Sequence, residues 1–324
     1  MKKTVFVALA MLTAICGCKA GEQAENQTVK STDKVVKETR QVDEFSGITL
    51  IGSCKVICTL DSTRSVVVEA PKEAAQQLLT EVMPDGVLNI RHKKIAGVSV
   101  IGAKEDRTTV YVTVPTLQSI KLIGSGDIIV KGKVISDDKL NVVLSGSGDI
   151  EFSKVDVKFA NFSLAGSGDI AVGNIKSKQA KVSLAGSGDI KVDGIASDGA
   201  QIILAGSGDI AVGNVKAAMV TATATGSGDM KIGWVNCAVL DINQTTSSGN
   251  VTVGVKAVTT NVNMVGSGNL KLSGTTNVYN EVKHGSGKIN KSGLKYDKTT
   301  QTKQNGWQSV SNSTTSPNGI EAEP

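Results

Sequence analysis

The residues of this chain best placed to do chemistry recur. An aspartate follows six Gly-Ser-Gly triplets, at Asp127, Asp149, Asp169, Asp189, Asp209 and Asp229, and a serine stands two residues before each, at Ser125, Ser147, Ser167, Ser187, Ser207 and Ser227. If the copies stack, the carboxylates form a column that could share Ca2+ ions, which take oxygen ligands. The column also has a plainer role, in which each exposed carboxylate accepts backbone N–H bonds at a turn, a task asparagine can share. Asn250 and Asn269 hold the position in later copies. Glycine-rich calcium repeats have a nine-residue period, whereas here one acid recurs about every 20 residues, so the plainer role is favoured and no cofactor is expected.

Catalysis finds little support. A serine nucleophile needs a base beside it, and the only histidines, His92 and His284, lie far apart in sequence and outside any metal-ligand spacing. Gly166 to Ala171 fits a dinucleotide-binding fingerprint, but that motif needs a helix after the glycines, and here the pattern of a strand follows. No catalytic residue is singled out.

The triplets also dictate the architecture that positions these side chains. Their first residues fall at Gly124, Gly146, Gly166, Gly186, Gly206, Gly226, Ser247, Gly266 and Gly285, in steps of 22, 20, 20, 20, 20, 21, 19 and 19. A period near 20 marks an array in which each repeat buries its apolar side only against its neighbours. Within one repeat Ile170 and Val172 alternate inward, Gly173-Asn174 turns, Ile175 points back, and Ala180, Val182 and Leu184 alternate inward until Gly186. Two strands and two turns use up the 20 residues, and period-2 alternation excludes stacked helices. The expected fold is all-β: a parallel β-helix with two sheets, one repeat per coil, over residues 121–292. The tight reversal at each triplet calls for positive φ or very close backbone approach, and the serine hydroxyls are expected to form a ladder or bond the backbone locally. In the last copy Glu281, Lys283 and Lys291 occupy inward slots, as suits a capping coil.

Composition agrees with a thin, layered core: 40% of residues are hydrophobic but only 3% aromatic, with 5 prolines. The formal charge of +5 falls by two, to +3, without Lys2 and Lys3, and no basic cluster suggests nucleic acid. Residues 1–17 read as a signal peptide: Lys2-Lys3, then an apolar run from Val5 to Ile15 that is too short to span a bilayer. Ile15-Cys16-Gly17-Cys18 resembles a bacterial lipoprotein cleavage box, which implies a lipid on Cys18 and attachment to a membrane. Residues 18–42 read as a polar tether and 293–324 as a disordered tail. Cys54 and Cys58 lie ~13 Å apart along one strand, too far to bridge, and Cys58 is expected as a buried free thiol.

Residues 43–120 read as a β-rich N-terminal region or cap. Ile48, Leu50, Val56 and Cys58 surround Gly52-Ser53 as apolar residues surround the later triplets, which suggests a diverged first coil. Pro71 to Val82 reads as a short amphipathic helix, and Thr109–Val114 as a strand. Among the aromatics of the repeats, Phe152 and Phe162 fall inward and Trp234 is the exposed candidate for sugar contact.

With Phe45-Ser46-Gly47-Ile48, Val112-Thr113-Val114-Pro115-Thr116-Leu117 and the repeated Gly-Ser-Gly-Asp-Ile, the chain resembles the auto-transporter adhesin family with a head GIN domain over residues 42–292. The resemblance implies a two-sheet β-superhelix without a recognised catalytic set and an adhesive role. The expected protein is therefore a non-catalytic, lipid-anchored outer-membrane lipoprotein, exposed at the cell surface, whose partners are the membrane and a host or envelope glycan or protein. The alternatives are a carbohydrate-active β-helix enzyme like the pectin lyases, or a periplasmic envelope scaffold.

Overall fold

The computed structural model describes residues 34–95, 98–99 and 107–297. The expected signal peptide, Cys18, most of the tether and the chain beyond residue 297 lie outside these residues. In chain order, the strands β1 (Val35–Arg40), β2 (Gly47–Gly52), β3 (Lys55–Leu60) and β4 (Ser65–Pro71) precede the helix α1 (Lys72–Gln77). Next come β5 (Leu78–Val82), β6 (Val87–His92), the small hairpin β7 (Lys94–Ile95) and β8 (Val98–Ser99), β9 (Thr109–Val114) and β10 (Ser119–Gly124). The repeats supply β11 (Asp127–Gly146), β12 (Ile150–Leu164), β13 (Ile170–Lys176), β14 (Gln179–Leu184), β15 (Ile190–Ala196), β16 (Gly199–Leu204), β17 (Ile210–Lys216) and β18 (Met219–Ala224). The last are β19 (Met230–Ser247), β20 (Val251–Gly266), β21 (Leu270–His284) and β22 (Ile289–Lys295).

These strands form a β-solenoid of about nine turns. Each rung has an exit face leaving a glycine corner, as in β13, and an entry face running into the next, as in β14. Every rung pairs in parallel with the rung before and after it, and equivalent residues stand in columns. On the exit face Ile150, Ile170, Ile190, Ile210 and Met230 follow one another in register. On the entry face Leu144, Leu164, Leu184, Leu204 and Ala224 do the same. Nearly all these side chains are wholly buried, each stabilising the stack by about 1.5–3 kcal/mol on removal from water, before the cost of ordering the chain. Phe152 and Phe162 point inward as expected and meet edge to face at 5.5 Å.

The glycine corners owe their composition to stacking more than to torsion. Gly146 and Gly166 do not need left-handed φ, but a Cβ on either would lie closer than 3.0 Å to the backbone of the glycine one rung earlier. No substituent fits between two backbones at that separation. Where Ser247 replaces the first glycine, the 21-residue step is absorbed by a bulge between Thr245 and Ser247. There the Gln244 amide turns inward and donates to the Gly249 carbonyl at 2.8 Å.

The N-terminal region departs from a simple winding. Gly52 does stand in the glycine column beside Gly124, so β2 and β3 are a first rung by shape. Yet β2 lies between β6 and β10, and β3 lies between β9 and β11. A later stretch of chain thus builds the rung beneath, and residues 115–118 bypass the β2–β3 rung on the way to β10, with Gln118 donating its backbone N–H to Ser46. Two antiparallel strands close this end, β5 on β6 and β4 on β9, and β1 adds to β4.

Three expectations are corrected here. The helix expected from Pro71 to Val82 stops at Gln77, because Leu78–Val82 pairs with β6 instead, and sheet hydrogen bonds outweigh a helical pattern only about three turns long. Residues 35–40, expected in the tether, form β1, an edge strand whose exposed side carries charge: Lys37 pairs with Glu69 at 3.2 Å. Residues 293–295, expected in the tail, instead complete β22, with Leu294 buried.

Candidate functional site

The six aspartates form one column along the glycine corners. After the first, the backbone N–H of each donates to the carboxylate one rung before: Asp169 to Asp149 at 2.9 Å, Asp189 to Asp169 and Asp209 to Asp189 at 2.8 Å, and Asp229 to Asp209 at 2.7 Å. The Asp149 N–H reaches Asp127 at 3.3 Å. Asn250 continues the column with two bonds to Asp229, from its backbone at 2.7 Å and its side chain at 3.1 Å, and Asn269 in turn donates its side-chain NH2 to the Asn250 oxygen at 3.0 Å. Repulsion between carboxylates about 4.8 Å apart costs ~0.9 kcal/mol per pair in water. A charge-assisted bond at each step offsets it. Among the described residues no three acidic, histidine or cysteine side chains converge as metal ligands.

The serine column is placed differently from expectation. Ser125, Ser147, Ser167, Ser187 and Ser207 are exposed or half-exposed, as is Ser227, and among the described residues their hydroxyls bond nothing. Backbone groups close the corner in their place: the Ser167 and Gly168 N–H groups both donate to the Gly146 carbonyl, at 2.9 and 3.2 Å, and the same pair recurs rung after rung. The hydroxyls therefore make a regular outward row.

His92 ends β6 at one end of the stack and exposed His284 ends β21 at the other, so no site joins them. Cys54, Cys58 and Cys237 are buried, and Cys58 and Cys237 are free thiols. Burial pushes the Cys58 thiol up to about 12. Burial, helped by the Asp241 carboxylate, pushes Cys237 up to about 11. On the exit side Lys133 and Lys176 clasp Asp156 at 2.7 and 3.6 Å and hold its carboxyl below the usual range, the Lys133 hydrogen bond contributing most. Trp234 is 42% exposed, as expected, with its ring over Gly254.

The last rung carries a polar cap. Glu281 accepts from the Tyr279 hydroxyl at 2.8 Å and from Lys291 at 2.6 Å. Lys291 lies 4.7 Å from the Tyr279 ring centre, and Tyr296 stacks on Tyr279 at 5.1 Å. Burial works against the charge of Glu281, but the bonds from Lys291 and Tyr279 outweigh it and lower its pKa. Glu281 and Lys291 thus close the stack as an ion pair, while Lys283 is exposed.

One feature escaped the residue pattern. A groove of about 730 Å³ runs across the outside of the entry face, from Ser46 and Asp85 past Asn141 and Phe159 to Gln201. Phe159 stands in it 44% exposed. Trp234 was expected to be the one exposed aromatic of the repeats, and this is corrected: the alternation that sends Ala160 and Phe162 inward turns Phe159 outward as well. The groove itself depends on side chains from rungs far apart in sequence.

Comparison with known proteins places this geometry among relatives. A family model described as "Putative auto-transporter adhesin, head GIN domain" matches residues 44–234 and 234–306. A crystal structure named "Putative lipid binding protein" from Parabacteroides distasonis ATCC 8503 is similar at a TM-score of 0.60 and 22% identity, covering 80% of this chain and 97% of that one. A "putative adhesin" from the same organism gives 0.59 and 18%, with the same coverage. Another, from Bacteroides fragilis NCTC 9343, gives 0.53 and 19%, covering 80% and 97%. At these identities the likeness is one of fold. No curated protein matches the chain.

Proposed function

Because this chain belongs to the auto-transporter adhesin, head GIN domain family, we propose that it is a non-catalytic cell-envelope protein, anchored by a lipid on Cys18 to the outer membrane and displaying its solenoid at the cell surface for adhesion. The observation that carries this reading is the filled interior: the inward columns are almost entirely apolar and almost fully buried. Whatever the solenoid offers a partner must then lie on its outer wall. That wall is rigid, since every rung is bonded to its neighbours, and it repeats one corner many times. A neighbour of the same fold is named for lipid binding; in this chain a lipid would also have to meet the outer wall. Among the described residues no helix is long and apolar enough to cross a membrane, and a lipid on Cys18 would supply the attachment.

The test is surface labelling. Intact cells treated with a membrane-impermeant amine reagent should label the exposed lysines of this protein, and Cys18→Ala should release the protein from the membrane fraction. Labelling only after lysis would overturn the display reading in favour of a periplasmic scaffold. Turnover of a polysaccharide by the purified protein, abolished by one carboxylate substitution, would favour an enzyme.

A further inference from the structure

We propose that the groove on the entry face binds a linear acidic polysaccharide laid along the stack, one sugar to a rung. This rests on the display reading above and names the ligand that the displayed surface would take. The groove crosses several consecutive rungs at right angles to the strands. The backbone groups of its floor are already spent in the parallel ladder, so a ligand can be recognised only by side chains. Those side chains are chiefly amides. Asn161 donates to the Asn141 oxygen at 2.6 Å, which among the described residues leaves the Asn161 carbonyl and the Asn141 NH2 uncommitted, an acceptor and a donor suited to the hydroxyls of a sugar.

Two further features fit the same ligand. The Gln179 amide lies in space kept open by Gly199, where a Cβ would come within 2.5 Å of its oxygen. Phe159, 44% exposed with the Lys158 ammonium 5.4 Å from its ring centre, offers the rest of its ring to the C–H side of a sugar. Rung height decides between polymer classes. Equivalent side chains recur every ~4.8 Å up the stack, whereas an extended peptide advances ~3.3 Å per residue and falls out of phase within a few rungs. A pyranose unit in an extended chain is about as long as one rung is high, so amides on successive rungs meet successive sugars in the same way.

Charge selects the acidic members. Lys139 and Lys181 line the groove, both exposed, and neither is ion-paired among the described residues. They stand two rungs apart in neighbouring outward columns, against a single acid, Asp85, at the far end of the groove, so a chain that bears carboxylates at intervals along its length can meet both.

The experiment uses the purified full-length protein and calorimetric titration with octasaccharides of hyaluronan and of polygalacturonate, with chitooctaose as the neutral comparison. At least one acidic octasaccharide should bind more tightly than chitooctaose, with affinity falling as salt rises. Phe159→Ala should weaken binding about ten-fold, and the pair Lys139→Gln with Lys181→Gln should erase the preference for acidic sugar. Lys271→Gln, on the exit face, should change nothing. All four positions are exposed, and circular dichroism of each variant should match the parent. No binding by either acidic octasaccharide, or binding that survives both groove variants, would overturn the proposal. Such a failure is distinct from failure of the display reading, which the labelling of intact cells decides without any sugar.

Discussion

Replacing Gly168 by alanine isolates the force that shapes the corners. Gly168 has no left-handed φ, so alanine meets no torsional penalty there. Its Cβ would nonetheless collide with the Gly148 carbonyl and come within 2.8 Å of two backbone carbons, Gly148 C and Ser147 C. Backbone cannot swing aside as a flexible side chain can, so the rungs must part at the corner. Parting loosens the two bonds to the Gly146 carbonyl, at 2.9 and 3.2 Å, each contributing about 1 kcal/mol net, and adds about 1–3 kcal/mol of overpacking strain. The expected destabilisation is about 3–5 kcal/mol. Gly132 is the control: its φ is +87° but nothing lies within 4 Å of a Cβ there, so Gly132→Ala should cost only about 1 kcal/mol. Urea unfolding followed by circular dichroism measures both, and hydrogen exchange at the Ser167 and Ser187 amides reports the local opening. If Gly168→Ala falls within 1 kcal/mol of Gly132→Ala, close stacking is not what demands glycine at the corners.

Other perturbations probe separate parts of the stack. Asp189→Asn keeps an acceptor for the Asp209 N–H and removes two like-charge neighbours, so the variant should be as stable as the parent or more so at low salt, with the difference shrinking as salt rises in melting experiments. Glu281 is held low in the folded protein, so its contribution is present above the unfolded value of about 4.3 and is lost as pH falls through the folded one. Glu281→Gln should therefore flatten the acid limb of stability, seen as a smaller loss of melting temperature between neutral pH and pH ~4. With their thiols pushed up to about 12 and 11, Cys58 and Cys237 should react with a disulfide reagent at pH ~8 only after urea unfolds the chain. Fast reaction in the native state would contradict their burial.

What the sequence made legible follows the range of the interactions involved. A column such as Ile150, Ile170, Ile190 and Ile210 needs only a period and an alternation, both local, and the inward places of Phe152 and Phe162 came with it. That the aspartates accept backbone N–H bonds was legible at the turn, but that the donor lies one rung away was not; nor were the idle serine hydroxyls, because the corner brings backbone N–H groups to the acceptors first. The threading of β2 and β3 between rungs built by later chain leaves no periodic trace. Nor does the conversion of Leu78–Val82 from helix to strand, which is decided by the edge that β6 presents. The groove lies beyond local reading for a further reason: Ser46, Gln118, Asn141 and Gln201 become neighbours only once the register of several rungs is set.

The repeat also indicates where specificity can reside. Inward positions are held almost entirely to apolar side chains by burial, and corner glycines by the backbone one rung away, so a change at either disturbs the stack, as the bulge at Ser247 does. Outward positions on the two faces have no such constraint, and there equivalent sites hold very different residues: Lys139, Phe159, Gln179, Gly199 and Met219 on the entry face, Asn174, Gly194, Asn214 and Trp234 on the exit face. A scaffold that keeps its core and corners nearly uniform while freeing its outer columns separates stability from recognition. Substitutions at Phe159 or Trp234 should consequently alter what the surface binds while leaving the melting temperature close to that of the parent, and the reverse should hold for Leu184→Ala, which opens a cavity costing about 2–5 kcal/mol and touches nothing a ligand could reach.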